Sequence, residues 1–274
     1  MSELDVLDKK TFHKFAELIY KKAGIVLGDK KEALVQARVG KRMRQLGLTD
    51  YKQYFKVVEA DEAGDEITAL LDAISTNVTH FFRENRHFEV LAKLIRHWEG
   101  EGQSRFRLWT AACSSGEEPY SIAMTLREVL RDVGDVKILA TDISTKILKR
   151  AREALYEPRH MESVPRSYQV KYFRKERTPE HGEMYRVDPS LQKMVTFGRL
   201  NLATPPFPMK GPMDVIFCRN VMIYFDNVVR KRLLANMYQL LKTGGYLMVG
   251  HAESLSGMLS EFKPVEPAIY IKKG

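Results

Sequence analysis

The chain has 274 residues, 44% of them hydrophobic, a formal charge of +9 and two cysteines, Cys113 and Cys218. This is an ordinary globular composition with room for one large α/β domain and a small one; it gives no disulfide framework, no metal cluster and no stretch long enough to span a bilayer. The opening Met1-Ser-Glu-Leu-Asp-Val6 lacks the basic start and apolar run of a signal peptide, so a reducing, cytoplasmic setting is expected.

The positive charge invites nucleic acid or an acidic protein surface, and its distribution says more than its sum. Residues 9–44 hold eleven Lys/Arg against three Asp/Glu, whereas residues 45–75 hold two against seven. In residues 8–22, Phe12, Phe15, Ala16, Ile19 and Tyr20 recur at helical spacing, and Ala23-Gly24 closes the pattern. Residues 30–45 predict a second helix with Val35, Val39, Met43 and Leu46 on one arc and Lys31, Arg38, Lys41 and Arg42 on the adjoining one. That second arc is either a solvated face or a docking face for an acidic partner. Residues 49–58 and 65–74 complete an all-helical N-terminal domain over residues 1–75.

Residues 75–84 are too polar for their short apolar centre and stand at a domain junction, where they line a cleft or form a linker capped by Asn77 or Thr79. A helix over 88–98 follows. Phe106, Leu108 and Trp109 then supply a strand, residues 111–116 are a row of small residues, and Pro119 sits in the first turn of an apolar helix. In open α/β sheets ligands lie at such turns. The turn has a single glycine and no Gly-Lys-Ser/Thr, and Glu117 and Glu118 at the helix start repel phosphate. A cationic small molecule with an adenosine-like body fits better, and S-adenosylmethionine is the common one. Glu117 and Glu118 serve equally well as ordinary first-turn carboxylates.

Residues 137–142 predict a buried strand ending at Asp142, whose two oxygens suit a ribose diol or the cap of the helix over 144–153, a cap Ser144 is better placed to provide. Between 156 and 198 the pattern breaks at Pro158, Pro165, Pro179 and Pro189, and the runs 168–173 and 183–187 predict an inserted antiparallel β-subdomain. Its edge strands either add a partner's extended peptide or are simply exposed. The regular α/β pattern resumes with 195–202 and then 213–225; Asp226 caps a helix to Lys242 that Gly244-Gly245 ends; 246–250 is a strand, and 262–265 with 268–272 form an antiparallel pair.

Taken together, Asn77-Val-Thr-His-Phe-Phe-Arg83, Gly116-Glu-Glu-Pro-Tyr-Ser121, Ala140-Thr-Asp142, Asn201-Leu202, Cys218-Arg-Asn-Val-Met-Ile-Tyr-Phe225 and Gly244-Gly-Tyr-Leu-Met-Val-Gly-His-Ala-Glu-Ser254 resemble the chemotaxis receptor methyltransferases of the CheR type. The resemblance runs in order over nearly the whole chain. It implies a Rossmann-like S-adenosylmethionine-dependent methyltransferase sheet over residues 76–274, with the β-subdomain inserted at about 156–198. The implied reaction esterifies glutamate side chains on the cytoplasmic helices of bacterial chemoreceptors and leaves S-adenosylhomocysteine. By the same resemblance, Asn77, Thr79 and Arg83 contact the cofactor from the junction, Glu117 from the bare turn, Asp142 at the ribose, and Asn201 and Leu202 at the adenine. Arg219 and Asn220 lie beside its amino acid portion, Tyr224 faces the reacting methyl group, and Arg83 is the second catalytic candidate. In some members of the family the inserted sheet also binds a short peptide from the receptor's C-terminus.

The chemistry agrees with this. A glutamate carboxylate is ionised at neutral pH, so methyl transfer needs no general base, and the sequence offers no Ser/His/Asp or Cys/His arrangement. His80 and His251 are read as cleft-lining or capping, and the two cysteines as packing residues. A nucleic acid methyltransferase would interleave basic residues with stacking aromatics, and the helix over 30–45 has no aromatic. A non-catalytic scaffold is the alternative from another class, separated from an enzyme by turnover of labelled cofactor. The expected partners are chemoreceptor cytoplasmic domains, with no nucleic acid, no membrane insertion and no bound metal.

Overall fold

The computed structural model describes residues 5–75, 77–180, 182–253, 255 and 261–273; Ser254, which ends the last of the motifs, lies outside them. Asp8 starts α1 (Lys9–Ala23) by accepting the Thr11 N–H at 2.8 Å, and Gly24 closes it in the left-handed region. α2 (Glu32–Gln45), α3 (Tyr51–Glu59) and α4 (Asp65–Ile74) follow, and the four helices enclose a core that includes Phe12, Phe15, Ile19, Val35, Val39 and Tyr54. Two details differ from the sequence reading. Lys31 ends a short 3-10 turn that precedes α2, and Leu46, placed on the apolar arc, is 39% exposed because the helix has already ended at Gln45.

The charge polarity of this domain is answered in part from within. Arg42 on α2 grips Glu66 on α4 with two bonds, Nε to Oε1 at 2.9 Å and Nη2 to Oε2 at 2.6 Å, and the Tyr54 hydroxyl donates to the same carboxylate at 2.7 Å. Arg38 donates to the carbonyls of Ile74 and Ser75 at the end of α4. Of the four predicted docking residues, Lys31 and Lys41 are exposed, whereas Arg38 and Arg42 are half-buried and engaged inside the domain.

The larger unit runs through α5 (Arg86–Gly100), β1 (Phe106–Ala111), α6 (Glu117–Val129), β2 (Val136–Asp142) and α7 (Thr145–Glu153). An insertion follows, made of β3 (Leu155–Tyr156), α8 (Arg166–Tyr172), β4 (Phe173–Thr178), β5 (Gly182–Val187) and α9 (Pro189–Gln192). β6 (Val195–Arg199), β7 (Met213–Cys218), α10 (Asn227–Leu240), β8 (Leu241–Val249), β9 (Phe262–Glu266) and β10 (Ile269–Lys272) complete it. The main sheet has seven strands in the order β6-β2-β1-β7-β8-β10-β9; the first five are parallel, and β10 and β9 are antiparallel to their neighbours. One apolar core joins this sheet to α5 and α6, and a second joins its other face to α10. The chain leaves β1 toward β2 on one side and returns to β7 on the other, so the strand order reverses at β1 and opens a crevice at the carboxyl ends.

The inserted sheet is three-stranded, β3-β5-β4. The run 168–173, expected as a strand, is helical up to Tyr172. Pro165 presets the turn before it, the Gln169 amide donates to the carbonyls of Met161 and Val164 at 2.9 Å, and Tyr168 and Tyr172, one helical turn apart, meet edge to face at 5.7 Å. The helix expected to reach Lys242 ends at Leu240, and Gly244-Gly245 lies within β8. There the Lys272 ammonium takes the carbonyls of Tyr238 and Leu241 at 2.7 and 2.8 Å, closing the helix end from β10.

The helical domain docks on this sheet beside the crevice. Ile25 forms an isolated antiparallel bridge with Phe225, the Val26 N–H donates to the Tyr224 carbonyl at 2.8 Å, and the Tyr20 hydroxyl donates to Asp226 at 2.7 Å.

Candidate active site

The carboxyl ends of β1, β2 and β7, with the residues that follow β6, open into a cleft. The turn after β1 makes its floor. Ala112, Ser114 and Gly116 all adopt positive φ, at 68°, 50° and 97°, which brings the backbone of a small-residue loop to the surface of the cleft. At Gly116 a side chain is also excluded by space, since a Cβ would stand 2.8 Å from the Tyr156 hydroxyl, which itself donates to the Ser115 carbonyl at 2.8 Å.

Asp142 ends β2 and is buried. One oxygen accepts the Ser114 N–H at 2.9 Å and the other the Ser144 N–H at 3.0 Å, while Ser144 caps α7 through Ile147. Burial raises the pKa of Asp142 above the ordinary carboxylate value, against the opposing pull of those backbone donors. Each oxygen keeps lone-pair capacity, and the residue lines the cleft.

At the end of β7 the buried Arg219 is held between two carboxylates, Glu118 at 2.6 Å and Glu84 at 3.0 Å, and it also donates to the Arg83 carbonyl. Glu118 in turn accepts from the Thr110 hydroxyl. Burial works to raise the pKa of Glu84, and the Arg219 charge outweighs it, so the group stays below its ordinary value. Arg219 lines the cleft, and its Nε has no partner. Asn220 has a φ of 57° and is fixed by its N–H to Glu253 at 2.7 Å. Gly250 is required beside it, because a Cβ there would meet the Asn220 amide nitrogen at 2.6 Å.

The family model described as CheR methyltransferase, SAM binding domain, matches residues 77–271, and the one described as CheR methyltransferase, all-alpha domain, matches residues 10–75. The chain belongs to the CheR methyltransferase family. It is 40% identical over 263 residues to the chemotaxis protein methyltransferase of Escherichia coli K12, which covers 96% of this chain and 90% of that one. It is 39% identical over 271 residues to the protein of that name from Salmonella typhimurium, covering 98% and 92%, and 36% identical over 274 residues to the one from Borreliella burgdorferi, covering 97% and 95%.

Membership of the CheR family makes the chain an S-adenosylmethionine-dependent methyltransferase, and the cleft fits that molecule on two counts. Asp142 has acceptor capacity for a ribose diol, and the unpartnered Nε of Arg219 is a donor for the carboxylate of an amino acid portion.

The cleft brings together nearly all the residues expected of it: Asn77, Thr79, Arg83, Asp142, Asn201, Leu202, Arg219, Asn220 and Tyr224 all line it. The Asn201 side chain has a structural engagement as well, donating to the Lys22 carbonyl at 2.7 Å and accepting the Ala203 N–H at 3.0 Å. Glu117 is placed elsewhere. It is completely buried beneath the turn, accepting from the Ser115 hydroxyl at 2.6 Å and facing His160 Nδ1 at 3.1 Å, and the glutamate that lines the cleft is Glu118. The sequence reading also missed the wall supplied by the helical domain, which includes Ile25, Val26, Leu27 and Leu34 and brings Lys31 to the cleft.

Proposed function

We propose that the protein transfers the methyl group of S-adenosylmethionine to glutamate carboxylates on the cytoplasmic helices of bacterial chemoreceptors, and that it works in the cytoplasm. The observation that carries this reading is the identity of about 40% to chemotaxis protein methyltransferases across both the helical and the cofactor-binding domain. No described helix is long and apolar enough to cross a membrane.

Bound in the cleft, the cofactor supplies a sulfonium methyl group; as a glutamate oxygen takes the methyl, one C–O bond forms, one C–S bond breaks, the electron pair stays on sulfur and no proton moves. The protein's task is therefore to bind, orient and exclude water rather than to move a proton. In this reading Asp142 holds the ribose, Arg219 the carboxylate end, and Tyr224 and Arg83 face the transfer. Tyr224 is fixed by its own turn and by the Val26 N–H on its carbonyl, and Arg83 is steadied by one bond to the Val78 carbonyl at 2.9 Å, with other guanidinium donors left for an incoming carboxylate. Exposed Lys31 and Lys41 meet the acidic receptor surface. β4, the long edge strand of the inserted sheet, is where an extended receptor peptide adds through main-chain bonds.

The test is the nature of the product. With labelled cofactor and receptor-bearing membranes, the label is expected on the receptor and released as methanol in mild alkali, as an ester requires. Label that resists alkali overturns the glutamate assignment, and label on added RNA redirects it to nucleic acid.

A further inference from the structure

His87, in the first turn of α5, is completely buried, and neither of its ring nitrogens has a hydrogen-bond partner. Buried polar atoms left without a partner are costly, and a phenylalanine would fill the same space without them. Two groups stand near the ring. Glu84 Oε2 lies 3.5 Å from Nδ1, and the ring of His251, an exposed residue just beyond β8, has its centroid 5.4 Å from that of His87. One ligand atom from each of Glu84, His87 and His251 falls within 4.8 Å of the other two.

A separation of 3.5 Å is long for a hydrogen bond between a ring nitrogen and a carboxylate. It is close to the edge of a tetrahedron whose bonds to a central zinc ion are ~2.0–2.1 Å, which comes to roughly 3.3–3.4 Å. The carboxylate has capacity for a metal, because Arg219 takes one lone pair on Oε2 at 3.0 Å, and the donors on Oε1, the His251 N–H and the Asn220 amide, are distant at 3.3 and 3.4 Å. Charge allows it too. The surrounding hydrogen-bonded network holds the carboxylates of Glu84, Glu118 and Glu253 against the guanidinium of Arg219, and exposed His251 gives a route in from solvent.

We propose that Glu84, His87 and His251 form a three-ligand site for a divalent transition metal of the zinc class, with a fourth position open to water. Two imidazoles and a carboxylate are the donor set such ions take. Inspection of the cysteines alone overlooks it, because the site joins an i, i+3 pair at the domain junction to a loop more than 160 residues later. The site does not depend on the methyltransferase reading.

Full-length protein stripped with a chelator and titrated with Co²⁺ tests the proposal through visible d–d absorption and calorimetry. One saturable equivalent with tetrahedral-type absorption, displaced by Zn²⁺, is expected. His251→Ala, at an exposed position, weakens binding by more than ~10-fold. His87→Phe abolishes the absorption while melting at or above the temperature of the unsubstituted chain. Absence of a saturable band overturns the site. So does undiminished affinity in His251→Ala, which would assign binding to other groups such as the surface pair of His97 and Glu101.

Discussion

Replacing Asp142 by asparagine is the most direct probe of the cofactor cleft. The carboxylate accepts a backbone N–H on each oxygen, from Ser114 and from Ser144, and in the proposed complex it accepts the ribose hydroxyls as well. An amide keeps one acceptor oxygen and turns an NH₂ toward the other backbone N–H, donor against donor, so Asp142→Asn loses a charge-assisted bond and distorts the turn after β1. Hydrogen bonds to charged groups contribute about 1.5–3 kcal/mol. At 1.36 kcal/mol for each factor of ten, S-adenosylhomocysteine should bind roughly 10- to 150-fold more weakly. Calorimetry measures this directly, with a thermal melt to confirm the fold. The same carboxylate predicts a pH effect of definite sign. Its folded-state pKa is raised and the diol requires the ionised form, so affinity falls as pH drops through that raised value, whereas stability gains on protonation there and loses as pH rises through it. Affinity within twofold of the unsubstituted chain would remove Asp142 from the ribose.

The two neighbouring glutamates should behave differently: Glu117→Gln keeps product affinity within a few-fold, while Glu118→Gln breaks the 2.6 Å pair with buried Arg219 and costs about 1.5–3 kcal/mol in a denaturant titration. A larger loss of affinity from Glu117 than from Glu118 would refute the placement. On the helical domain, Lys41→Glu should slow methylation of receptor membranes several-fold at low salt and progressively less as salt screens the contact, with the melting temperature unchanged. Arg42→Glu should instead lower the melting temperature, because it sets a carboxylate against Glu66. The pKa of Glu66 is lowered, its bonds to Arg42 and Tyr54 overcoming the effect of burial, so this contribution is present above the ordinary glutamate pKa of 4.5 and is lost as pH falls through the folded value. Circular dichroism across that acid range, with Glu66→Gln as the control that flattens it, measures the effect.

What could be read in advance divides along the range of the interactions responsible. The strand, bare turn and helix around Gly116, the aspartate closing β2 and the helix caps at Ser144 and Asp226 depend on residues within a few positions of one another, and the structure forms them where the pattern put them. Which of two adjacent glutamates reaches the cleft is another matter. Glu117 and Glu118 are the first two residues of α6, about 100° apart on its surface, and the choice is made by what packs on each side. His160 of the insertion stands on one side, Arg219 at the end of β7 on the other, and neither contact is encoded near residue 117. The basic arc of α2 misled for a similar reason: periodicity gives the direction of Arg42 but not the arrival of α4 with Glu66, which turns a surface charge into a half-buried pair. Least legible was the cleft wall from the helical domain. Its only local trace is the short apolar run Ile25-Val26-Leu27 between Gly24 and Gly28, too brief to predict an element, and it acquires a purpose through the bridge from Ile25 to Phe225, two hundred residues along the chain. Because that bridge carries the Val26 bond to the Tyr224 carbonyl, the docking that completes the cleft also fixes the tyrosine proposed to face methyl transfer.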